Sequence, residues 1–467
     1  MSAPLLWILI PIGIGGLTFF VARDRSLIII GGAASLLLTG IALIVPIDEA
    51  LRLGPFSLKI ASSASLFGRS LVLNPTHAPF LAIVYGMCAL WFFGAEAAGV
   101  ARRLVPFGLI ITGLLVASIA VQPFLFAALL IEIAVLAAIP MISPLNQTPG
   151  RGLMRFLIYQ TLGMPFILFA GWLLAGVEAS PGDLALTIQS TVMLGLGFAF
   201  LLAVFPLYNW IPQVMEESSP YVVGFLLWSL PTIASIYGMG FLDRYAWLRT
   251  SAQLLAGLRA TGLLMVVTGG LWAAFQRHAG RLMAYTAVAE TGFILIALGL
   301  NPATSTDITF LLIPARGLGI AIWSLSLSIL KRKNNDEPLR FTSMQGLARS
   351  YPLASAGLIL ASLSTAGFPL LAGFPPRIAL WEGLGQQSLG SAVWFLVGLL
   401  GLLIGAARML AVLVMNKEET AWVSRETWVQ RGMLGVGLIG LFILGLFPQA
   451  LRPILEELPL MFQRLGR

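Results

Sequence analysis

Seven side chains that could carry protons or charge lie within apolar stretches of this sequence. They are Glu132, Glu290, Arg316, Arg377, Arg408, Tyr208 and Tyr285. A charged side chain is costly in an apolar environment, so one that remains there marks a proton relay, an ion path or a structural ion pair. A carboxyl group can gain and lose a proton near neutral pH, whereas an arginine stays protonated. We interpret the seven residues as candidates for a proton path, with structural pairing as the alternative for the charged ones.

Other kinds of site chemistry find little support in the sequence. The single cysteine, Cys88, and the two histidines, His77 and His278, are too few to build an iron–sulfur, zinc or haem site. The sequence has neither a GxxxxGK phosphate-binding loop nor a Gly-rich dinucleotide fingerprint after a strand. We therefore expect no cofactor and no catalytic residue in this chain, so its energy must come from an ion gradient or from a partner.

The elements that must position the seven residues are membrane-spanning helices. Of the 467 residues, 58% are hydrophobic and 10% are charged, against about 25% charged in a soluble domain. The apolar runs predict an all-α polytopic membrane protein with about 14 transmembrane helices. They centre near 4–22, 27–46, 78–99, 104–121, 123–143, 153–176, 186–208, 219–242, 260–276, 281–300, 308–330, 350–384, 389–415 and 432–453. The amphipathic segment 50–73 is predicted to be a loop or a short hairpin.

Prolines interrupt two of the predicted spans, the seventh and the twelfth. They are Pro206 and Pro212 in "FPLYNWIP", and Pro369 and Pro375 in "GFPLLAGFPPR". Each interrupted span is the fourth of a five-helix group, spans 4–8 and 9–13, so the second group would form an inverted repeat of the first. Paired interruptions at corresponding positions point to an ion path in inverted-repeat transporters. The same pairing puts Glu132 and Glu290 in corresponding helices, the fifth and the tenth.

The order of spans divides the chain into four predicted parts. They are residues 1–100 with the first three helices, 101–245 and 255–416 with the two five-helix repeats, and 430–467 with the last helix and the tail. Lys and Arg are more frequent in the loops of one side, most clearly in "KRKNNDEPLR", and basic loops lie inside. This asymmetry predicts that both termini lie outside a membrane of the bacterial inner-membrane type. Such loops also explain the net charge of +8 without a nucleic-acid partner.

Four stretches, in order along the chain, resemble a known family. "VQPFLFAALLIEIAVLA" is similar to the fifth-helix motif that carries the family's glutamate, which maps onto Glu132. "GFAFLLAVFPLYNWIPQVMEESSPYVVGFLL" is similar to its seventh helix and the loop that follows, "RLMAYTAVAETGF" to the opening of its tenth helix, and "LSTAGFPLLAGFPPRIALW" to its broken twelfth helix. From about residue 70 to 450 the chain resembles the antiporter-like, proton-translocating membrane subunits of respiratory complex I, related hydrogenases and Mrp-type sodium/proton antiporters. It is similar to the shorter complex I siblings.

Most of the titratable side chains that this resemblance implies are replaced. Leu201 occupies the position of a seventh-helix lysine, Tyr208 that of a histidine, and Trp228 that of the eighth-helix histidine. Ala234 lies near the position of a further basic residue, Asn74 occupies that of an aspartate, and Arg377 occupies that of the twelfth-helix lysine or glutamate. Leucine cannot carry a proton, and arginine effectively cannot release one. The resemblance therefore implies a retained scaffold with impaired or altered conduction. Glu132 would pair with an arginine of another helix or be protonated.

The function that the resemblance implies is that of an antiporter-like subunit in a complex I-type NADH or ferredoxin:quinone oxidoreductase. Such a subunit contributes to proton translocation coupled to electron transfer, while the redox centres lie in other chains. Its partners would be sibling antiporter-like subunits, small membrane subunits and lipid. Two alternatives stay open, namely a non-conducting structural subunit of the same complex and an independent secondary transporter that binds an anionic solute through Arg316 and Arg377.

Overall fold

The computed structural model describes residues 1–21, 23–53, 56–66, 68–143, 148, 150–180, 182–300, 302–333, 338–415 and 422–465. Within these ranges the chain is mainly helical, and twelve helices are long and apolar enough to cross a membrane. The protein is therefore an integral membrane protein, as its hydropathy predicts. Residues 334–337 of the predicted basic loop lie outside the described ranges.

Helices follow one another along the chain, and most of the connections between them are short. They are α1 (Leu5–Thr18), α2 (Asp24–Ile44), α3 (Ala78–Ala98), α4 (Ala101–Ala120), α5 (Ala127–Ile142), α6 (Arg151–Ala179), α7 (Leu184–Leu201), α8 (Trp210–Glu217), α9 (Pro220–Arg244), α10 (Ala246–Arg249), α11 (Ala252–Phe275), α12 (Ala279–Gly299), α13 (Pro302–Lys333), α14 (Leu347–Ser350), α15 (Pro352–Thr365), α16 (Phe374–Gln387), α17 (Leu389–Val414), α18 (Trp428–Leu446) and α19 (Arg452–Leu455).

Two shorter apolar helices, α1 and α15, accompany the twelve long ones in the described chain. The 14 residues of α15 rise about 21 Å, which is less than the hydrocarbon layer of about 30 Å. This segment can cross a bilayer only together with α16. The predicted total of 14 spans depends on counting both shorter helices, and it stays a prediction.

The amphipathic segment after α2 folds into two β-hairpins. Of its two predicted forms, a loop or a short hairpin, the structure therefore shows the hairpin. The first pairs β1 (Ala50–Leu53) with β2 (Phe56–Lys59), and the second pairs β3 (Ser63–Leu66) with β4 (Arg69–Val72). A further strand, β5 (Val121–Gln122), extends the second hairpin after α4. The otherwise helical fold therefore carries two small sheets at one end of its first helices.

The long helices differ in how completely they are enclosed. Most residues of α9, α12 and α13 are buried, whereas most residues of α7, α11 and α18 keep at least part of their surface exposed. A helix that is apolar all round and buried belongs to the interior of a large protein. Glu290 of α12 and Arg316 of α13 therefore lie inside the protein, where only other protein groups or small enclosed molecules can compensate their charges.

Two breaks interrupt the helices where the prolines predict them. Break 1 comprises residues 202–209 between α7 and α8, and break 2 comprises residues 366–373 between α15 and α16. Each contains a non-glycine residue in the left-handed region, Ala203 at φ +49° and Leu370 at φ +71°. Such a backbone costs about 1–3 kcal/mol and persists only where the surroundings fix it. The inverted relation between the two five-helix groups stays a prediction.

The four helix-breaking prolines occupy two kinds of position. Pro206 and Pro369 lie within the breaks, and Pro212 and Pro375 lie in the first turns of α8 and α16. A proline is tolerated in a first turn because the N–H that it lacks would have no helical partner there. The prediction of a seventh span that continues to residue 208 is wrong, since α7 ends at Leu201. The backbone leaves the helix before the proline is reached.

Neighbouring side chains satisfy backbone groups that the breaks leave free. Gln160 of α6 donates from Nε2 to the carbonyl oxygens of the last two residues of α7, at 3.3 Å each. At break 2 the N–H of Gly373 donates to the Ser364 hydroxyl at 3.0 Å. Irregular backbone in an apolar layer is stable only when its polar groups are satisfied within the protein or beside a cavity. Both breaks meet this requirement in part through side chains.

Candidate functional site

Three of the predicted site residues form one buried cluster at break 2. Glu290 lies on α12, Arg316 on α13, and Arg377 on the first turn of α16. Their exposures are 3%, 2% and 3%. We call Glu290, Arg316 and Arg377 the charge cluster. The three helices that carry it pack against one another in pairs.

An ion pair joins the carboxylate of the cluster to the broken helix. Arg377 Nη2 donates to Glu290 Oε1, and Arg377 Nε donates to the carbonyl oxygen of Thr365 at 3.3 Å. The guanidinium also stands 4.2 Å from the centroid of the Phe293 ring. A cation over an aromatic face is stabilised by the ring quadrupole. Arg377 therefore connects α12 to both sides of break 2.

The second arginine is anchored by one nitrogen only. Arg316 Nη2 donates to the carbonyl oxygen of Leu227 at 2.6 Å and to the Thr291 hydroxyl at 3.3 Å. Glu290 and Arg377 are the charged groups that act on it electrostatically. Arg316 thus connects α13 to α9 and to α12, and it adds a second positive charge beside the ion pair.

Several polar atoms of the charge cluster have no hydrogen-bond partner within the described residues. These atoms are Glu290 Oε2, Arg316 Nε, Arg316 Nη1 and Arg377 Nη1. Buried polar atoms without partners are rare in native proteins, and each points to a water, an ion or a functional role. With one carboxylate and two guanidinium groups, the cluster also carries more positive than negative charge.

Glu132, the first-half candidate, has a different environment. It lies on α5 with 8% exposure, beside Thr161 of α6, and its Oε2 has no hydrogen-bond partner in the described part of the chain. No arginine pairs with it among the described residues, so the expected ion pair with another helix is not formed. Leu201 is buried at 4% exposure and packs against Gly163. Within the described ranges, no cation takes the place of the lysine that the family pattern puts there.

The remaining candidates lie apart from the charge cluster. Tyr208 in break 1 and Tyr285 on α12 face each other with ring centroids 6.2 Å apart, and Trp272 stacks on Tyr285. Arg408 on α17 is half-buried, donates from Nη1 to the carbonyl oxygen of Ala274 and stands over the Phe341 ring. These contacts give the two tyrosines an interhelical role and support the structural alternative for Arg408.

A second polar contact, which the sequence did not reveal, joins α8 to the start of α12. The Glu216 carboxylate forms an ion pair with Arg281, whose Nε lies 2.5 Å from Oε1 and whose Nη2 donates to Oε2 at 2.9 Å. His278 Nε2 lies 3.9 Å from the same carboxylate. Burial lowers the pKa of His278, while Glu216 opposes that change. The acidic pair Glu216–Glu217 after break 1 was the available signal, but its partner lies 65 residues further along the chain.

Comparison with known proteins identifies the family of this fold. Residues 154–405, more than half of the chain, match the family described as NADH:quinone oxidoreductase/Mrp antiporter, transmembrane. The chain is 24% identical to NADH-quinone oxidoreductase subunit N of Rhodococcus opacus, over 66% of this chain and 60% of that protein. It is 28% identical to NADH-quinone oxidoreductase subunit 14 of Thermus thermophilus, over 62% of this chain and 66% of that protein. The chain thus spans less than two thirds of the length of these relatives.

Solved structures of low sequence identity share the fold. One is a chain of respiratory complex I from Thermus thermophilus with bound NADH, with a TM-score of 0.78 and 20% identity over 99% of this chain and 100% of that chain. Another is a chain of the Mrp complex from Dietzia sp. DQ12-45-1b, with a TM-score of 0.82 and 16% identity over 100% of this chain and 97% of that chain. The match over residues 154–405 also takes in the charge cluster and both breaks. The chain belongs to the NADH:quinone oxidoreductase/Mrp antiporter transmembrane family, as its helix motifs predict.

Proposed function

We propose that this chain is an antiporter-like membrane subunit of a complex I-type NADH-quinone oxidoreductase and contributes to proton translocation. Support comes from the family, from relatives named as subunits N and 14 of such an enzyme, and from likeness in fold to chains of multi-subunit membrane complexes. The partners would be sibling antiporter-like subunits, small membrane subunits and lipid. Electrons would pass through cofactors that other chains hold. The basic loops support a bacterial inner membrane with both termini outside.

The observation that carries this proposal is the buried pair of Glu290 and Arg377 at break 2. Arginine keeps its proton in proteins, so Glu290 is the member of the pair that can exchange one. The family resemblance implies a switch between a carboxylate on the fifth predicted span and a lysine on the seventh. Its counterpart would then be Glu290 on the tenth predicted span, which is α12, and Arg377 on the twelfth, which includes α16. In this chain the lysine position of the seventh helix is Leu201, whereas the twelfth-helix position carries a cation, Arg377.

The geometry supports two states for this pair. When Glu290 is ionised, it holds Arg377 and with it the first turn of α16. When Glu290 takes up a proton, the charge attraction is lost, and two guanidinium groups that repel each other remain in a poorly screened interior. Break 2 interrupts the helical hydrogen bonding between α15 and α16, so α16 would be able to respond without bending a continuous helix. Electron transfer in partner chains could then move protons by favouring one state over the other.

Proton transport by the intact assembly tests this proposal. We expect Glu290→Gln in the complex, reconstituted into vesicles, to lower the number of protons translocated per quinone reduced while quinone reduction continues. A partial loss is expected because sibling subunits keep their own paths. Glu382→Gln, the same change at an exposed position of α16, is the matched control and should leave the ratio unchanged. An unchanged ratio in the Glu290 variant would refute conduction through this cluster.

A non-conducting structural subunit is the second candidate, and Leu201 favours it. Leu201 is buried and apolar where the family carries a lysine, and Arg377 cannot release a proton at working pH. In that role the charge cluster would fix α12, α13 and α16 to one another without changing its protonation. The same experiment separates the two candidates, because a structural subunit predicts weaker assembly of the Glu290 variant and an unchanged ratio in the complexes that do form.

A further inference from the structure

The charge cluster contains more positive charge than the protein around it compensates. Glu290 is the only carboxylate that acts on Arg316 and Arg377 among the described residues. The nearest acidic residue on α13, Asp307, precedes Arg316 by nine positions, which corresponds to about 14 Å along a helix. An uncompensated charge in a protein interior is strongly destabilising. A balancing negative charge is therefore expected close to the two guanidinium groups.

Hydrogen-bond donors are also in excess at this place. Arg316 uses only Nη2 for its bonds, so its Nε and Nη1 have no acceptor within the described chain. Arg377 uses Nε and Nη2, and its Nη1 has none. The indole N–H of Trp228, beside Gly317 on the next position of α13, is also buried without an acceptor. Donors outnumber acceptors, and a further bound water would add donors as well as an acceptor.

We propose that Arg316 and Arg377 bind one small monovalent anion of the chloride class, which remains resident in the cluster. A monatomic anion accepts several N–H bonds at once and offers no donor, and it balances the second guanidinium. The exposures of 2% and 3% for the two arginines favour a small, enclosed ion over the transported anionic solute considered from the sequence. The anion site does not depend on whether the chain conducts protons.

Glu290 and the anion would compete for the same positive field. While Glu290 is ionised, it neutralises one guanidinium and weakens the attraction for the anion. When Glu290 is protonated, both arginines are available, so anion binding becomes stronger. The anion would thus stabilise the protonated state of the cluster, and binding of a proton and of the anion would be linked.

The dependence of thermal unfolding on chloride tests the site in the purified assembly. Chloride is exchanged for gluconate, which is too large to be enclosed, at constant ionic strength. The wild-type assembly is expected to gain stability as chloride rises, and the gain should saturate. Arg316→Gln should abolish the saturating part. Arg259→Gln, which removes another arginine bonded to a backbone carbonyl, should retain it. A wild-type assembly without a chloride-specific gain, or equal gains in both variants, would overturn the proposal.

Two further measurements keep the result independent of folding and of conduction. Crystals of the wild-type complex with bromide in place of chloride should show anomalous density between the two guanidinium groups, and density for water alone would overturn the site. Glu290→Gln should lower the half-saturating chloride concentration at least about tenfold. If Glu290→Gln loses proton transport but stability does not depend on chloride, the anion site is refuted and the proposed conduction stands. If stability depends on chloride but Glu290→Gln leaves proton transport unchanged, the proposed conduction is refuted and the anion site stands.

Discussion

Break 1 and break 2 each turn the chain through a left-handed non-glycine residue. The two carboxylates that the predicted repeat places on corresponding helices nevertheless have different neighbours. Glu132 on α5 lies beside the hydroxyl of Thr161 and has no cation within the described residues. Glu290 on α12 binds one arginine and lies within electrostatic reach of another. The two halves therefore share a helix break with a left-handed residue, but they differ in the charged side chains near the carboxylate.

This difference shows that a broken helix and a charge site are separable properties. A break needs satisfied backbone groups, which Gln160 supplies for α7 and Ser364 for the start of α16. A charge site needs cations on the facing helices, and only the second half supplies them among the described residues. The first half can keep its shape after loss of the lysine position because Leu201 fills the interior next to Gly163.

The largest expected effect comes from the same Glu→Gln change made in each half. Glu290→Gln leaves two buried guanidinium groups without a carboxylate, and removal of one partner of a buried pair costs about 3–5 kcal/mol. Glu132→Gln removes a carboxylate without an ion pair, and we expect a change within about 1 kcal/mol. Unfolding midpoints of the two purified assemblies, measured in gluconate, give the comparison. Equal losses would mean that the two carboxylates have similar neighbours after all.

A smaller effect is expected from a glycine at break 2. A Cβ atom on Gly373 would overlap the backbone carbonyl group of Ser364, whereas one on Gly385 of α16 would meet no atom within 4 Å. Overpacking of this kind costs about 1–3 kcal/mol. Gly373→Ala should therefore lower the unfolding midpoint and disturb Arg377, four residues further along. Gly385→Ala should be neutral or slightly stabilising. A tolerated Gly373→Ala would show that break 2 has room to move without strain.

The sequence marked the three members of the charge cluster, but it did not predict their arrangement. Prolines and apolar runs mark Pro206 and Pro369 because a missing N–H and a restricted φ act locally. Glu290, Arg316 and Arg377 stand out because charge in an apolar run is costly wherever it lies. Their assembly could not be predicted, since it depends on which helices face one another and on backbone carbonyls such as that of Leu227. The absence of a cation beside Glu132 among the described residues is likewise a property of the packing.

The smallest expected effect concerns the contact that connects the two halves. Glu216 on α8, just after break 1, binds Arg281 and approaches His278 at the start of α12, the helix that carries Glu290. Burial lowers the pKa of His278 below its ordinary value of 6.5; Arg281, Lys331 and Arg340 add to this, and Glu216 opposes it. The folded state therefore binds fewer protons at this residue than the unfolded state does as the pH falls through about 6.5.

It follows that the contact between the halves loses stability as the pH falls below about 6.5 and regains it as the pH rises. His278→Asn keeps a side-chain acceptor for the first turn of α12, where His278 Nδ1 now accepts the N–H of Arg281 at 3.3 Å. The variant should therefore have a flatter dependence of the unfolding midpoint on pH between 5 and 8 than the wild type. Glu216→Gln removes the opposing charge and should make the dependence steeper. If both variants kept the wild-type slope, the pH response would arise elsewhere, and α8 and α12 would be joined by the Glu216–Arg281 pair without a contribution from His278.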